Sequence, residues 1–193
     1  MLRLAGKTRS AWIGEAMENL SDVLLDHAHC EKKAASTAVS FIFRYPEYAH
    51  IIRPLSELAR EELRHFEQVL TFMDKRGIEF VRQIPSEYAK KLMKHCRKDE
   101  PERMMDLMIC ASLIEARSCE RMSILATALV DTDSKLAQFY RGLLACEARH
   151  HQIYIDMLQE IYDKDVIAER LEILAQKEQE IVDQAGQLVR MHS

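Results

Sequence analysis

Small and apolar residues recur every three to four positions from Leu24 through Phe41, the period of a helix that buries one face. Ser10 or Ser21 can cap this helix, and the chain near Arg44 to Pro46 should end it. The period resumes at Leu58, Ala59, Phe66, Val69 and Leu70, with Pro54 suited to the first turn and Gly77 to the C-terminal stop. Two long helices joined as a hairpin are therefore expected. A short helix follows around Ser86 to Lys98. Pro101 then opens a third long helix that carries Leu107, Cys110, Ala111, Ile114, Met122 and Leu125 on one side and stops near Asp131. Asp133 or Ser134 begins a fourth, reaching about Tyr162, and Asp165 a fifth with Leu171, Leu174, Ile181, Val182 and Leu188. The pattern is all-α. No low-complexity segment or linker divides the chain, so one domain spanning residues 1–193 is expected.

Polar residues that interrupt the apolar faces are the next signal. Glu62-Leu-Arg-His65 lies on the second long helix and Glu147-Ala-Arg-His150 on the fourth; at this spacing a carboxylate and an imidazole project from one helix face. Taken singly, Glu-x-x-His is a weak motif, and a third copy, Glu47-Tyr-Ala-His50, sits between Pro46 and Pro54 where the backbone should be turning. That copy is assigned no metal role. The other two are each preceded by a lone glutamate one helix earlier, Glu31 by 31 residues and Glu115 by 32.

The neighbours of all four glutamates at helical spacing are apolar. Glu31 has Leu24, Ala28, Ala34, Ala35 and Ala38, while Glu62 has Leu55, Leu58, Ala59, Phe66 and Val69. Glu115 lies among Met108, Ala111, Cys119 and Met122, and Glu147 among Tyr140, Leu143, Leu144 and Tyr154. Glu61, by contrast, has Glu57, Arg64 and Gln68 and should face water. A carboxylate facing a bundle core costs several kcal/mol unless it is paired, protonated or metal-bound. Glu31, Glu62, His65, Glu115, Glu147 and His150 thus match the carboxylate-bridged di-iron or di-manganese pattern of helical bundles. Oxygen and imidazole donors without thiolate suit iron or manganese better than a structural zinc, with iron the first choice. His27 shares the Glu31 face one turn away and, like His151, is expected beside the ligands or in the core rather than on the metal.

Composition sharpens this picture. Few glycines and prolines and a 48% apolar content support a helical protein with a sizeable core. The longest uncharged stretch, Ala34 to Phe43, has ten residues, too short to span a bilayer. The N-terminus lacks the apolar run of a secretory signal, so a cytoplasmic location is expected. Cys30, Cys96, Cys110, Cys119 and Cys146 form no Cys-x-x-Cys pair and are expected to be reduced, mostly buried thiols. A net charge of −4 excludes nucleic-acid binding by bulk charge. The exception is local: Lys90, Lys91, Lys94, Arg97 and Lys98 place five cations within nine residues.

Four segments carry a family resemblance: Leu24-Leu-Asp-His-Ala-His-Cys-Glu-Lys-Lys-Ala-Ala-Ser-Thr-Ala38, Leu58-Ala-Arg-Glu-Glu-Leu-Arg-His-Phe-Glu67, Ile114-Glu-Ala-Arg-Ser-Cys-Glu-Arg121 and Glu147-Ala-Arg-His150. With them the chain resembles the tRNA 2-methylthio-N6-isopentenyladenosine hydroxylases, MiaE, within the ferritin-like superfamily. The resemblance implies a ferritin-like four-helix bundle with flanking helices, and two iron ions per chain. Glu62 and Glu147 would bridge them, Glu31 and Glu115 would be terminal ligands, and His65 and His150 would each serve one iron. It implies a monooxygenase that takes O2 as co-substrate and inserts one oxygen atom into an allylic C–H bond of the isopentenyl group beside the anticodon. An unpaired anticodon-loop base can enter a pocket without melting a duplex, and Lys90, Lys91, Lys94, Arg97 and Lys98 are the candidate tRNA contacts. No Gly-rich dinucleotide motif is present, so electrons should come from a separate electron-transfer protein or reductase. The alternative is a ferritin-like protein that oxidises and stores iron or scavenges peroxide with the same ligands.

Overall fold

A computed structural model describes residues 2–184 and 188–192. Among them are seven helices and no strand: α1 (Ala11–Glu18), α2 (Leu20–Arg44), α3 (Ala49–Asp74), α4 (Tyr88–Met93), α5 (Glu102–Ala128), α6 (Ser134–Gln159) and α7 (Lys164–Asp183). The all-α expectation is met, with one helix more than the periodicity implied. Asn19, at φ −120° and ψ 36°, leaves the helical region and separates α1 from α2, so Ser10 precedes α1 and Ser21 lies inside α2 rather than capping it.

By its internal contacts the chain divides into two compact units, one formed by Ala16–Pro85 with Val189–Met191 and the other built on α4 to α7. In the first, α2 packs on α3. Their buried residues keep strict helical spacing: Leu24, Ala28, Glu31, Ala35 and Ala38 on α2, and Ile51, Leu55, Leu58, Glu62, His65, Val69 and Met73 on α3. Helix α3 starts five residues before Pro54, a correction to the expectation that this proline marks the first turn. Proline there forfeits only one backbone bond near the helix start, where Ile51 N already closes a tighter turn onto Tyr48 O at 3.1 Å. Gly77 ends the helix as expected. Its φ of 65° allows Ile78 N to bond Met73 O and Gly77 N to bond Asp74 O, which satisfies the last carbonyls in a Schellman arrangement. The C-terminal Met191 N donates to Asp26 Oδ2 at 2.9 Å and closes this unit.

In the second unit α6, α4 and α7 all pack against α5. Helix α5 was expected to be apolar on one side, yet it is buried around most of its circumference, polar residues included. Arg117 on α5 and Glu178 on α7, both fully buried, form a two-pronged ion pair at 2.8 and 2.6 Å, and the Tyr88 hydroxyl on α4 donates to Glu178 at 2.8 Å. Asp133 accepts from Leu136 N and caps α6, while Asp163 accepts from Asp165 N and caps α7. Helix α7 ends at Asp183, so Leu188 lies beyond it and is exposed.

Candidate metal centre

The α2–α3 hairpin assembles one set of donors. Glu31 comes from α2, and Glu62 and His65 from α3, one turn apart on the same face. All three are buried. His65 Nδ1 lies 3.5 Å from Glu31 Oε2 and 3.8 Å from Glu62 Oε2, so one imidazole nitrogen faces two carboxylates. His27, one turn before Glu31, reaches back with Nε2 to Glu31 Oε1 at 2.6 Å. Burial alone would raise the Glu31 carboxyl. The His27 charge, and hydrogen bonding with His27, His65 and Glu62, outweigh it and hold Glu31 ionised, well below the usual carboxylate range. His27 is thus a partner of Glu31, as its helical spacing suggested.

The second unit carries the matching residues: Glu115 on α5, and Glu147 and His150 on α6, all buried. Cys119 stands beside Glu147, and burial together with this carboxylate pushes its thiol up to about 11, while its Sγ donates to Leu144 O at 3.5 Å. His151 is buried too, but its Nδ1 is taken up by the Ser112 hydroxyl at 2.8 Å and carbonyl at 2.9 Å, while burial lowers its pKa and keeps it neutral. It ties α6 to α5.

The outward controls behave differently. Glu61 is only partly buried and pairs with Arg64 at 3.6 Å, Glu47 lies in the turn before α3, and His50 is exposed at the start of that helix. His29 turns outward, with Nε2 on Val81 O and its ring on Phe80. Lys90, Lys91, Lys94, Arg97 and Lys98 are all exposed, but they are not equivalent. Lys90 pairs with Glu87 at 2.9 Å, and Arg97 gives its backbone N and guanidinium to the fully buried Asp106. Arg170 on α7 binds the same carboxylate. This buried acid was missed in the sequence because a single aspartate among apolar neighbours leaves no periodic trace.

Residues 2–193 match the family described as tRNA-(MS[2]IO[6]A)-hydroxylase (MiaE). The chain belongs to the MiaE family. It is 40% identical, over 96% of its length and 89% of the relative's, to a Pseudomonas putida protein named tRNA 2-(methylsulfanyl)-N(6)-isopentenyladenosine(37) hydroxylase. A Salmonella typhimurium protein of the same name is 32% identical, with 96% and 86% of the two chains covered. Among solved structures, a Synechococcus protein described as having aldehyde deformylating oxygenase activity superposes with a TM-score of 0.93 at 44% identity, covering 98% of this chain and 95% of that one. The fold is accordingly ferritin-like and all-helical. The donor chemistry of this MiaE-family chain fits iron: Glu62 and His65 in one unit, and Glu147 and His150 in the other, are buried, and all are hard or intermediate donors without thiolate. Within the hairpin, the ionised Glu31 has histidines rather than lysine or arginine for partners, a surrounding that suits a cation.

Proposed function

We propose that this chain is the O2-dependent hydroxylase of the isopentenyl side chain of 2-methylthio-N6-isopentenyladenosine next to the tRNA anticodon. What carries the reading is the end-to-end match to two hydroxylases of that name, supported by the buried carboxylate and imidazole residues in each unit. Two iron ions would be held by Glu31, Glu62, His65, Glu115, Glu147 and His150, with Glu62 and Glu147 as the shared carboxylates and Glu31 and Glu115 terminal. When bound, the irons supply the activation of O2 that a C–H bond of this strength requires. The protein's own residues do the rest. His27 fixes the carboxylate of Glu31 by the 2.6 Å contact, and the apolar residues flanking each ligand exclude water from the centre.

Electrons come from a separate protein in this reading, and tRNA places the reaction in the cytoplasm. Among the described residues no helix is long and apolar enough to cross a membrane. Lys91, Lys94 and Lys98 are the tRNA phosphate contacts, with Lys90 and Arg97 weaker contributors because they already face Glu87 and Asp106.

The test is nucleoside analysis of tRNA from cells lacking the protein, together with turnover of unhydroxylated tRNA by the iron-loaded enzyme and a chemical reductant. Loss of the hydroxylated nucleoside and its formation in vitro are expected; unchanged tRNA in the deletion strain would end the proposal. The Synechococcus likeness favours a second reading, oxygenation of an aldehyde. It gains the lead if an aldehyde is deformylated while modified tRNA is left untouched.

A further inference from the structure

Two of the five cysteines meet, and the metal chemistry uses neither. Cys96, in the turn after α4, is half-buried, whereas Cys110 on α5 is fully buried. Their sulfurs lie 3.5 Å apart, so closing to a disulfide bond of about 2.05 Å needs a shift of only about 1.5 Å. The surroundings hold the two together. The Arg97 backbone N and guanidinium bind Asp106, one turn before Cys110 on α5, and Arg170 bridges Asp106 to the carbonyl of His95 at 2.8 Å. The residues on both sides of Cys96 are therefore clamped to the helix that carries Cys110.

We propose that Cys96 and Cys110 are a peroxide-sensitive dithiol, a modification site in which Cys96 is oxidised first and Cys110 resolves it to a reversible disulfide. Exposure sets the order, because only Cys96 can be reached from solvent. Electrostatics agrees: the hydrogen bond shared with Cys110 lowers the Cys96 thiol below its ordinary value, while the same bond, then burial, raises Cys110. The low-pKa, accessible member of a pair is the one that attacks an oxidant.

In the first step the Cys96 thiolate attacks one oxygen of hydrogen peroxide. The S–O bond forms, the O–O bond breaks, and the leaving hydroxide takes a proton to become water. In the second step the Cys110 sulfur attacks the sulfenic sulfur of Cys96 as its own proton passes to the departing oxygen, which leaves as the second water. The two thiols lose two electrons and peroxide gains them. The product ties the loop carrying Lys94 and Lys98 to α5, and a dithiol reductant reverses it.

Cys30 is an internal comparison: it is also partly accessible, and its thiol donates to Asp26 Oδ2 at 3.7 Å rather than meeting a second sulfur. The experiment treats the full chain with a few equivalents of hydrogen peroxide, then alkylates remaining thiols and maps peptides by mass spectrometry. The expected result is a Cys96–Cys110 peptide lighter by two hydrogens and restored by dithiothreitol, with Cys30 still alkylated. Cys110→Ser should accumulate a sulfenic acid at Cys96 that a dimedone probe captures, and Cys96→Ser should leave Cys110 alkylatable after denaturation. The proposal is overturned if both thiols survive peroxide that oxidises Cys30 or Cys146, if Cys110→Ser gives no dimedone adduct at Cys96, or if Cys110 is oxidised in the Cys96→Ser protein.

Discussion

The buried charges of this chain divide into those that the fold neutralises by itself and those that it leaves to histidine. Arg117 and Glu178 belong to the first kind: both are fully buried and bind through two hydrogen bonds. Removing Glu178 leaves Arg117 with the less buried Glu120 as its remaining carboxylate partner. Glu178→Ala should therefore cost about 3 kcal/mol, the low end for a broken buried pair, seen as a fall in thermal midpoint of roughly 10 °C. The solvent-accessible pair of the partly buried Glu61 and the exposed Arg64 is the comparison, and Glu61→Ala should change stability by less than about 1 kcal/mol. A Glu178→Met, Arg117→Met double variant that regains most of the loss would locate the cost in the stranded charge. Glu31 belongs to the second kind. Since His27 fixes the orientation of its carboxylate, His27→Ala should weaken iron binding by about 10–100-fold while the helical circular dichroism is kept. Glu62→Ala should take more iron away than His27→Ala, and Glu61→Ala none. Iron counted per chain after anaerobic loading decides among these, and retention of full stoichiometry by Glu62→Ala would remove it from the ligand set.

Individual helices were legible in the sequence to the extent that one face alone is buried. Helix α3 shows this best: Leu55, Leu58, Glu62, His65 and Val69 keep strict period, and the inward turn of Glu62 against the outward turn of Glu61 could be read from neighbours alone. Helix α5 was harder, because a helix surrounded by α4, α6 and α7 loses the polar face that gives period its contrast. Its buried Asp106, Ser112, Arg117 and Arg121 take partners from Arg170, His151, Glu178 and Thr8, far away in sequence, which a local window does not see. Pro54 is a strong local signal for a helix start, yet α3 begins at Ala49 and absorbs the proline at the loss of one bond. Gly77 marks its end for a reason that can be isolated: a Cβ there would touch nothing within 4 Å, but φ is +65°. Gly77→Ala should thus cost about 1 kcal/mol of backbone strain with no packing defect, visible as a lower denaturation midpoint at an unchanged slope. The clamp on Asp106 supplies a pH dependence. Burial alone would raise this carboxyl, but Arg170 and Arg97 overcome it and set the folded pKa below the ordinary value. Its stabilisation is therefore complete above the unfolded value near 4 and lost as pH falls through the lower folded value. Unfolding free energies of wild type and Asp106→Asn should differ at pH 7 and converge in acid; a constant gap down to pH 3 would contradict this.

At the scale of the whole molecule, a net charge of −4 opposes a polyanionic substrate, so attraction must be local and salt-dependent. Lys91→Ala, Lys94→Ala and Lys98→Ala, which alter exposed side chains, should each weaken tRNA binding and together lower the slope of log affinity against log salt by up to about three units, with iron content unchanged. An unaltered slope would move the interface elsewhere. The candidate ligands also leave a record of another sort. Glu31 with Glu62 and His65, and Glu115 with Glu147 and His150, repeat one another at separations of 31 and 32 residues, each set confined to a single pair of adjacent helices. Such doubling is what the copying and fusion of one ancestral hairpin would leave behind.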